Sequence, residues 1–249
     1  MTIQQQKKFK ILLVGDSCTD VYQYGNVDRI SPEAPVPIFN FLYQEEKSGM
    51  SFNVRDNLLQ LDCDVQLMTQ TPSKKTRLID KRTNQQMLRI DDDVFSKDPL
   101  IFDDAITGYD AVVVSDYNKG CISYNTIVSI QKHFDGPVYV DTKKTNLSSI
   151  EGCFVKINRH ERNHLISLCT ELIVTMGKDG AIYKGDTYPV DLVEVNDVCG
   201  AGDTFMAALV YFHLHTGNIK TAIHYANKAA SVTVQHLGTY APSIEEILL

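Results

Sequence analysis

The chain has 249 residues, 43% of them hydrophobic, and a formal net charge of −7 at pH 7. That length and apolar content are sufficient for one large domain with a full core. The negative charge argues against broad nucleic-acid binding, and no apolar run approaches the length that crosses a membrane.

The six cysteines show neither a C-x-x-C spacing nor a secretory leader ahead of them. We therefore expect reduced thiols in a cytoplasmic protein and no metal site built on cysteine. His160 and His164 are spaced to share a helix face, but no third ligand has the spacing that would complete a zinc site.

Five short apolar runs each end at a polar residue, which is typical of buried strands whose carboxyl ends open toward a site. They cover residues 9–14, 111–116, 137–141, 153–158 and 172–175. Helical patterns lie between several of these runs. The order predicts an α/β fold with a mostly parallel sheet and helices on both faces.

Two segments depart from this pattern. Residues 21–44 are rich in proline and aromatic side chains, and residues 75–92 alternate polar and apolar side chains around a turn at Thr83 and Asn84. We expect these segments to form a small antiparallel sheet beside the main one.

The segment 197–204 places two glycines and a carboxylate ahead of an amphipathic helical pattern over residues 204–215. Glycine permits a tight turn, and the backbone N–H groups at a helix start attract anions. The amides of Gly200, Ala201 and Gly202 would stabilise a transferring phosphoryl group. Asp203 would accept the proton of an incoming hydroxyl, as in a kinase. The alternative is that Asp203 only favours the first turn of the helix.

The chain as a whole resembles the ribokinase-like (PfkB-type) family of sugar kinases. Residues 197–203 match the family's D-x-x-G-A-G-D signature at every fixed position. Within the family, the chain is more similar to the kinase domain of heptose-7-phosphate kinases. That likeness rests on residues 14–16 with Asp20, on the Asp-Arg-Ile-Ser-Pro-Glu-Ala-Pro-Val-Pro run at 28–37, and on Ser-Asp-Tyr-Asn-Lys-Gly at 115–120.

The resemblance implies a single ribokinase-like kinase domain over residues 1–249. Lid strands drawn from about 21–44 and 75–92 would cover the sugar site and pair with the same sheet of a second subunit to form a homodimer. It also implies ATP and Mg²⁺, and a small-molecule sugar or sugar phosphate as acceptor. The expected reaction is phosphorylation of the anomeric hydroxyl of a heptose 7-phosphate, which gives the 1,7-bisphosphate.

For the sugar, the resemblance implies Asp16 and Asp20 as acceptors of hydroxyl hydrogen bonds, although Asp16 could equally cap a turn. Gly49 and Asn53 match the family's G-G-x-x-N element. Its second glycine is Met50 here, and a methionine fills space where family members bring bare backbone to the substrate. This departure leaves the acceptor open.

Three cations are candidates for holding a phosphate group already present on the substrate: Arg29, Arg89 and Lys119. Cationic donors suit a dianionic group. A surface salt bridge is the alternative for each of them.

For the nucleotide, the resemblance implies an N-x-x-E element with Asn158 and Glu161, whose carboxylate acts on the hydrated magnesium. It also implies a T-x-G-x-x-G turn with Thr175, Gly177 and Gly180, where glycine lets the nucleotide pass close to the backbone. Asn227 would line the adenine pocket. Lys143 occupies the lysine position of the family's D-P-K, with Thr142 in place of proline.

Compared with the heptose kinases, the chain is short between residues 57 and 76 and again between 163 and 171. At least two helical stretches are therefore expected to be missing. Two alternatives stay open: a kinase for another sugar or a nucleoside, and a non-catalytic nucleotide-binding or regulatory protein of the same fold.

Overall fold

The computed structural model describes residues 8–249. Its strands are β1 (Lys10–Gly15), β2 (Ser17–Asn26), β3 (Asn40–Met50), β4 (Asp64–Met68), β5 (Ser73–Asp80), β6 (Gln85–Asp92), β7 (Ala111–Asp116), β8 (Val138–Thr142), β9 (Phe154–Asn158), β10 (Leu172–Thr175), β11 (Ala181–Tyr183) and β12 (Asp186–Tyr188). Its α-helices are α1 (Ser51–Gln60), α2 (Tyr124–His133), α3 (Arg159–Arg162), α4 (Ala201–Thr216), α5 (Ile219–Thr233) and α6 (Ile244–Leu248).

The main sheet has eight strands in the order β12-β11-β10-β9-β8-β7-β1-β4. The six strands from β10 to β4 are parallel, and β11 and β12 add an antiparallel edge. The five apolar runs are confirmed as β1, β7, β8, β9 and β10, each within about two residues at its ends. Their Val, Ile and Leu side chains are buried because both faces of the sheet are covered.

Separate apolar clusters lie on the two faces of this sheet. One contains α4 and residues of α1, α5 and α6, and the other contains residues of α2 and of the loops around it. The predicted helix at 204–215 is confirmed as α4, but the prediction that it is amphipathic is wrong. Every residue from Asp203 to Phe212 is buried, because α1 and α5 both pack against it.

The smaller sheet, which we call the lid, has the order β3-β2-β5-β6. Its two outer pairs are antiparallel, and the central pair of β2 and β5 is parallel. Strand β2 begins at Ser17, earlier than the sequence pattern indicates, and only Asp16 separates it from β1. The turn at Thr83 and Asn84 joins β5 to β6, with a positive φ of 55° at Asn84.

The connections between strands are short where the sequence predicts missing helices. In the described part of the chain, no helix lies between β4 and β5, and α3, between β9 and β10, has a single turn. Helices long and apolar enough to cross a membrane are absent from the described residues as well.

Helix α1 begins directly after Met50, a buried residue whose backbone has φ 55° and ψ −131°. Residues other than glycine rarely adopt these backbone angles, and the conformational strain at such a residue is about 1–3 kcal/mol. The backbone at this position therefore keeps a conformation that suits the glycine of the family motif, although the side chain is a methionine.

Replacing Met50 by glycine or by alanine removes the same buried side chain, but only glycine adopts a φ near 55° without strain. We expect M50G to be more stable than M50A by about 1–2 kcal/mol, as measured by urea unfolding. The pair M206G and M206A, at a buried site in the interior of α4, is the control. There alanine should be the more stable by about 1 kcal/mol. Glycine no better than alanine at position 50 would contradict the strain.

Candidate active site

Asp203 lies in the first turn of α4, which starts after Gly200 in the left-handed region at φ 80°. Its side chain is only 4% exposed. Asn53 on α1 donates a hydrogen bond to its Oδ2 at 2.8 Å, and the hydroxyl of Tyr117, after β7, donates to its Oδ1 at 2.7 Å. Three distant parts of the chain thus converge on one carboxylate.

Burial raises the pKa of Asp203 from 3.8 to about 6, even though the hydrogen bonds from Asn53 and Tyr117 lower it. The pKa of Tyr117 is raised well above its ordinary value, first by burial and then by the nearby Asp203 charge. Tyr117 therefore stays protonated and donates. A carboxylate with a pKa near 6 is ionised at neutral pH and is matched to proton abstraction.

A cavity of about 540 Å³, which we call the nucleotide cavity, opens beside Asp203 at the carboxyl ends of the strands. Gly202 and Tyr117, the chain neighbour and the hydrogen-bond donor of Asp203, lie on its wall. Other residues predicted for the nucleotide are also on the wall: Asn158, Glu161, Thr175, Gly177 and the D-P-K lysine Lys143.

Lys156 on β9 is a buried cation at the base of this cavity. Its Nζ donates to Asp141 Oδ2 at 2.7 Å and lies 3.0 Å from where a Cβ on Gly202 would be. Burial lowers the pKa of Lys156, but the Asp141, Asp203 and Glu161 charges outweigh burial and leave it raised. The first turn of α4 therefore has an ammonium group beside it, and glycine at 202 leaves room for that group.

Asn158 and Glu161 form a reciprocal cap on α3. The Asn158 side chain accepts from the Glu161 backbone N–H at 2.9 Å, and Glu161 Oε2 accepts from the Asn158 N–H at 2.7 Å. Glu161 Oε1 accepts from Lys143 Nζ at 2.8 Å. Glu161 is therefore both a helix-start acid and a wall of the cavity. Within residues 8–249, no cluster of three or more His, Cys, Asp or Glu is arranged to hold a metal ion.

The structure places two predicted nucleotide residues away from the nucleotide cavity. Gly180 has φ 84°, and a Cβ there would lie 2.0 Å from the Tyr188 carbonyl oxygen, so its missing side chain makes room for backbone. Asn227 on α5 donates to the same carbonyl at 2.8 Å and lines a different cavity of about 350 Å³.

Asp16 follows β1 and is buried. Its carboxylate accepts from three backbone N–H groups, those of Tyr117 (2.8 Å), Lys119 (3.0 Å) and Cys121 (3.1 Å). Burial raises the pKa of Asp16, although these hydrogen bonds lower it. Through these three contacts Asp16 shapes the loop that carries Tyr117.

Asp20 lies on β2, at the root of the lid, where it forms a buried ion pair with Arg77 of β5. Gly49 on β3 lies beside it, and a Cβ at Gly49 would be 2.3 Å from Asp20 Oδ2. Asn53, the last residue of the same motif, contacts Asp203. The structure thus places Gly49 against Asp20 on the lid strands, and Asn53, in the first turn of α1, against Asp203.

A second large cavity, which we call the lid cleft, lies between the lid and residues 197–199 and 237–238 and has a volume of about 420 Å³. Tyr22, Lys47 and Arg77 line it on the lid side. On the opposite wall, Asp197 accepts from the N–H groups of Cys199 and Gly238, both at 2.9 Å.

The three cations considered for a substrate phosphate do not lie together. Arg29 is exposed between β2 and β3, and Arg89 on β6 forms a two-point ion pair with Asp91. Lys119 pairs with Asp93 beside a small cavity of about 170 Å³. The ion pair of Arg89 with Asp91 is the surface salt bridge that the sequence analysis gave as the alternative for Arg89.

Sequence reasoning missed three site residues: Tyr117, Lys156 and Arg77. Tyr117 lies inside the 115–120 segment that carries the family resemblance, but nothing in that segment predicts its hydrogen bond to Asp203. Lys156 precedes the N-x-x-E element by two residues. Arg77 stands in a locally basic stretch that gives no signal for one member over another.

The comparisons with known proteins agree with this architecture. Residues 135–247 match the family model described as "pfkB family carbohydrate kinase". The chain is 29% identical to the "Bifunctional protein HldE" of Helicobacter pylori (strain P12), and the alignment covers 96% of this chain and 66% of that protein. It runs over 308 positions, more than the 249 residues of this chain, so the relative has segments that this chain lacks.

Two solved structures show the same fold. The ribokinase of Thermotoga maritima aligns with a TM-score of 0.68 at 16% identity, over 96% of this chain and 98% of that chain. The ribokinase of Arabidopsis thaliana complexed with ribose and ATP aligns with a TM-score of 0.66 at 14% identity, over 97% and 98%.

The fold is therefore ribokinase-like. More particularly, residues 135–247 match the pfkB family of carbohydrate kinases, in agreement with the family resemblance stated from the sequence motifs.

Because burial raises the pKa of Asp203 to about 6, the folded protein binds a proton there that the unfolded chain has lost above pH 4. The stability that this proton contributes is present at low pH and is lost as the pH rises through 6. We expect D203N, which cannot ionise, to be more stable than the wild type by about 1–3 kcal/mol at pH 8. The difference should vanish near pH 4.

Urea unfolding of both proteins between pH 4 and pH 8 measures this difference. D186N is the control, since Asp186 is exposed and pairs with Lys220 at the surface. If D203N were less stable than the wild type at pH 8, the Asp203 carboxylate would not carry the burial penalty described here.

Proposed function

We propose that this protein transfers the γ-phosphoryl group of ATP to a sugar hydroxyl, with Asp203 as the general base. The observation that carries the proposal is the position of Asp203. Its buried carboxylate is oriented by Asn53 and Tyr117 and lies at the start of α4, next to Gly202 on the wall of the nucleotide cavity. The best acceptor is the anomeric hydroxyl of a heptose 7-phosphate.

In the proposed reaction, the acceptor oxygen attacks the γ-phosphorus while the bond between that phosphorus and the β,γ-bridging oxygen breaks, which releases ADP. The proton of the hydroxyl passes to Asp203, whose pKa near 6 leaves it ionised at neutral pH. Asn53 and Tyr117 fix the direction of the carboxylate, and its burial keeps water away from the proton transfer.

The developing negative charge on the phosphoryl group would be stabilised by two features beside Asp203. The backbone N–H groups of Gly200 and Gly202 at the start of α4 are one of them, whereas the Ala201 N–H donates to the Val198 carbonyl at 3.4 Å. The Lys156 ammonium, next to Gly202, is the other. Because Lys156 is already balanced by Asp141, it is held in place before the nucleotide binds.

Magnesium would bind with the nucleotide rather than in a site made of protein ligands alone. Mg²⁺ commonly uses one or two carboxylates, several waters and the substrate phosphates. Glu161 on the wall of the nucleotide cavity fits that donor set. When bound, the ion would neutralise phosphate charge.

The heptose assignment is supported by the sequence segments at 28–37 and 115–120 and by the similarity to the bifunctional protein HldE. Asp20, Gly49 and Asn53 would hold the sugar hydroxyls, since Gly49 lies against the Asp20 carboxylate and Asn53 bonds the Asp203 carboxylate. A kinase for another sugar or a nucleoside would use the same catalytic residues with a different acceptor.

The lid gives a reason to propose a homodimer. Leu42, Leu88 and Ile90 are each about half exposed on it, and Leu88 and Ile90 share one face of β6. A second copy of the lid would cover this apolar surface and the open edge of the sheet.

Replacing Asp203 by asparagine removes the proton acceptor and leaves the nucleotide cavity intact. We expect D203N to lower kcat by about 10²- to 10⁴-fold, with the affinity for ATP changed by less than about threefold. For the wild type, kcat/KM should fall as the pH drops through 6. Steady-state kinetics and calorimetric ATP titration measure these quantities. Undiminished turnover in D203N would exclude the proposed base.

An ATP-consumption assay over a panel of sugars, sugar phosphates and nucleosides distinguishes the remaining functions. Turnover that requires a heptose 7-phosphate supports the proposal. Turnover with unphosphorylated sugars or nucleosides alone would indicate a different acceptor. ATP binding without turnover on any acceptor would indicate a regulatory nucleotide-binding protein.

The homodimer is tested by changing its proposed contact. L88D places a charge on the apolar lid face and should convert a dimer of about 56 kDa, twice the 28.0 kDa chain, to a monomer. Light scattering during size-exclusion chromatography measures the mass. L192D, at an exposed site outside the lid, should not change it. A wild-type monomer would rule out the lid dimer.

A further inference from the structure

We propose that the lid cleft binds the phosphate group that the acceptor already carries, through Lys47 and Arg77. This inference rests on the proposed function, and it assigns to two lid residues the selection of a phosphorylated acceptor. It also replaces Arg29, Arg89 and Lys119 as the candidates for that role.

Lys47 and Arg77 reach the same face of the lid from different strands. In the lid register, Asp20 on β2 pairs with Lys47 on β3, and Tyr22 on β2 pairs with Arg77 on β5. The Lys47 Nζ lies 5.4 Å and the Arg77 Cζ 5.1 Å from the centre of the Tyr22 ring. The shared ring therefore holds two cations on one wall of the lid cleft.

The charge balance of the cleft favours an anion. Among residues 8–249, no carboxylate lies within 4 Å of the Lys47 Nζ, which donates only to the Leu237 carbonyl at 3.2 Å. Arg77 pairs with Asp20 through one nitrogen, and in the described part of the chain the other N–H groups of its guanidinium have no acceptor within hydrogen-bond distance. Asp197 on the opposite wall directs its carboxylate at two backbone N–H groups. A phosphate would supply the acceptors that Lys47 and Arg77 lack.

The position of the cleft suits the far end of the acceptor. Its wall at residues 197–199 runs directly into Gly200 and the start of α4. Arg77 contacts Asp20, the residue proposed to bind sugar hydroxyls. A sugar phosphate could therefore place its phosphate between Lys47 and Arg77 and its ring near Asp20. A volume of about 420 Å³ is within the usual range for small-molecule sites.

The other cations are less suited to this role. Arg89 and Lys119 are each committed to a carboxylate, Asp91 and Asp93 respectively. Arg29 is exposed and lies outside the lining of the lid cleft. Lys47 lies in the cleft, as none of these three residues does, and within the described residues it also has no ion-pair partner, unlike Arg89 and Lys119.

The test measures the binding of heptose 7-phosphate and of the same heptose without phosphate by calorimetry. Wild-type protein should bind the phosphorylated sugar more tightly. K47M, which keeps the aliphatic stem, should weaken its binding by about 10- to 100-fold and leave the binding of free heptose unchanged. R77K keeps the charge and should give a smaller loss. K81M is the control, because Lys81 is a lid lysine that bonds Tyr43 outside the cleft.

Several results would overturn the inference. One is equal wild-type affinity for the two sugars or no binding of either; another is an equal loss for both sugars in K47M. A selective loss in R29M, R89M or K119M instead would assign the phosphate to that residue. The kinase proposal is judged separately. Binding of heptose 7-phosphate through Lys47 without ATP consumption would refute the kinase and leave the cleft assignment standing.

Discussion

The geometry of the active site depends on the hydrogen bonds of one buried carboxylate, Asp16, to three backbone N–H groups of the loop after β7. A loop between a strand and a helix is otherwise free to adopt many conformations. Here Asn118 and Gly120 take positive φ angles so that the N–H groups on either side of them point at the same carboxylate. The loop is thereby closed around Asp16, and the side chain of Tyr117 is fixed in the direction of Asp203.

The Asp203 carboxylate is thus oriented from two directions by residues far from it in sequence. Tyr117 is 86 residues away and Asn53 is 150 residues away. Neither contact exists until the main sheet and α1 have packed against α4. The orientation of Asp203, like the burial that raises its pKa, is therefore a property of the packed core rather than of the glycine loop.

The sequence predicted most of the main sheet, because parallel strands buried on both faces appear as continuous apolar runs. It also located the start of α4 after Gly200, since glycine next to an acid at a helix start is a local pattern. Residues that contact each other only through long-range packing leave no local sequence pattern. Lys156, which pairs with Asp141, and Arg77, which pairs with Asp20, were missed for this reason. Charge alone did not indicate where Arg29, Arg89 and Lys119 would lie. α4 is buried on all sides because α1 and α5 pack against it, so the spacing of apolar residues within α4 alone could not predict this burial.

Strand β2 continues from β1 after the single residue Asp16, and both strands are hydrogen-bonded in different sheets. Asp16 therefore connects the two sheets. The same residue shapes the loop that carries Tyr117. A mutation along β2, β3 or β5 changes the lid without altering the residues that line the cavity beside Asp203. The lid strands can accordingly diverge independently of that cavity, whereas a change at Asp16 would disturb both sheets together.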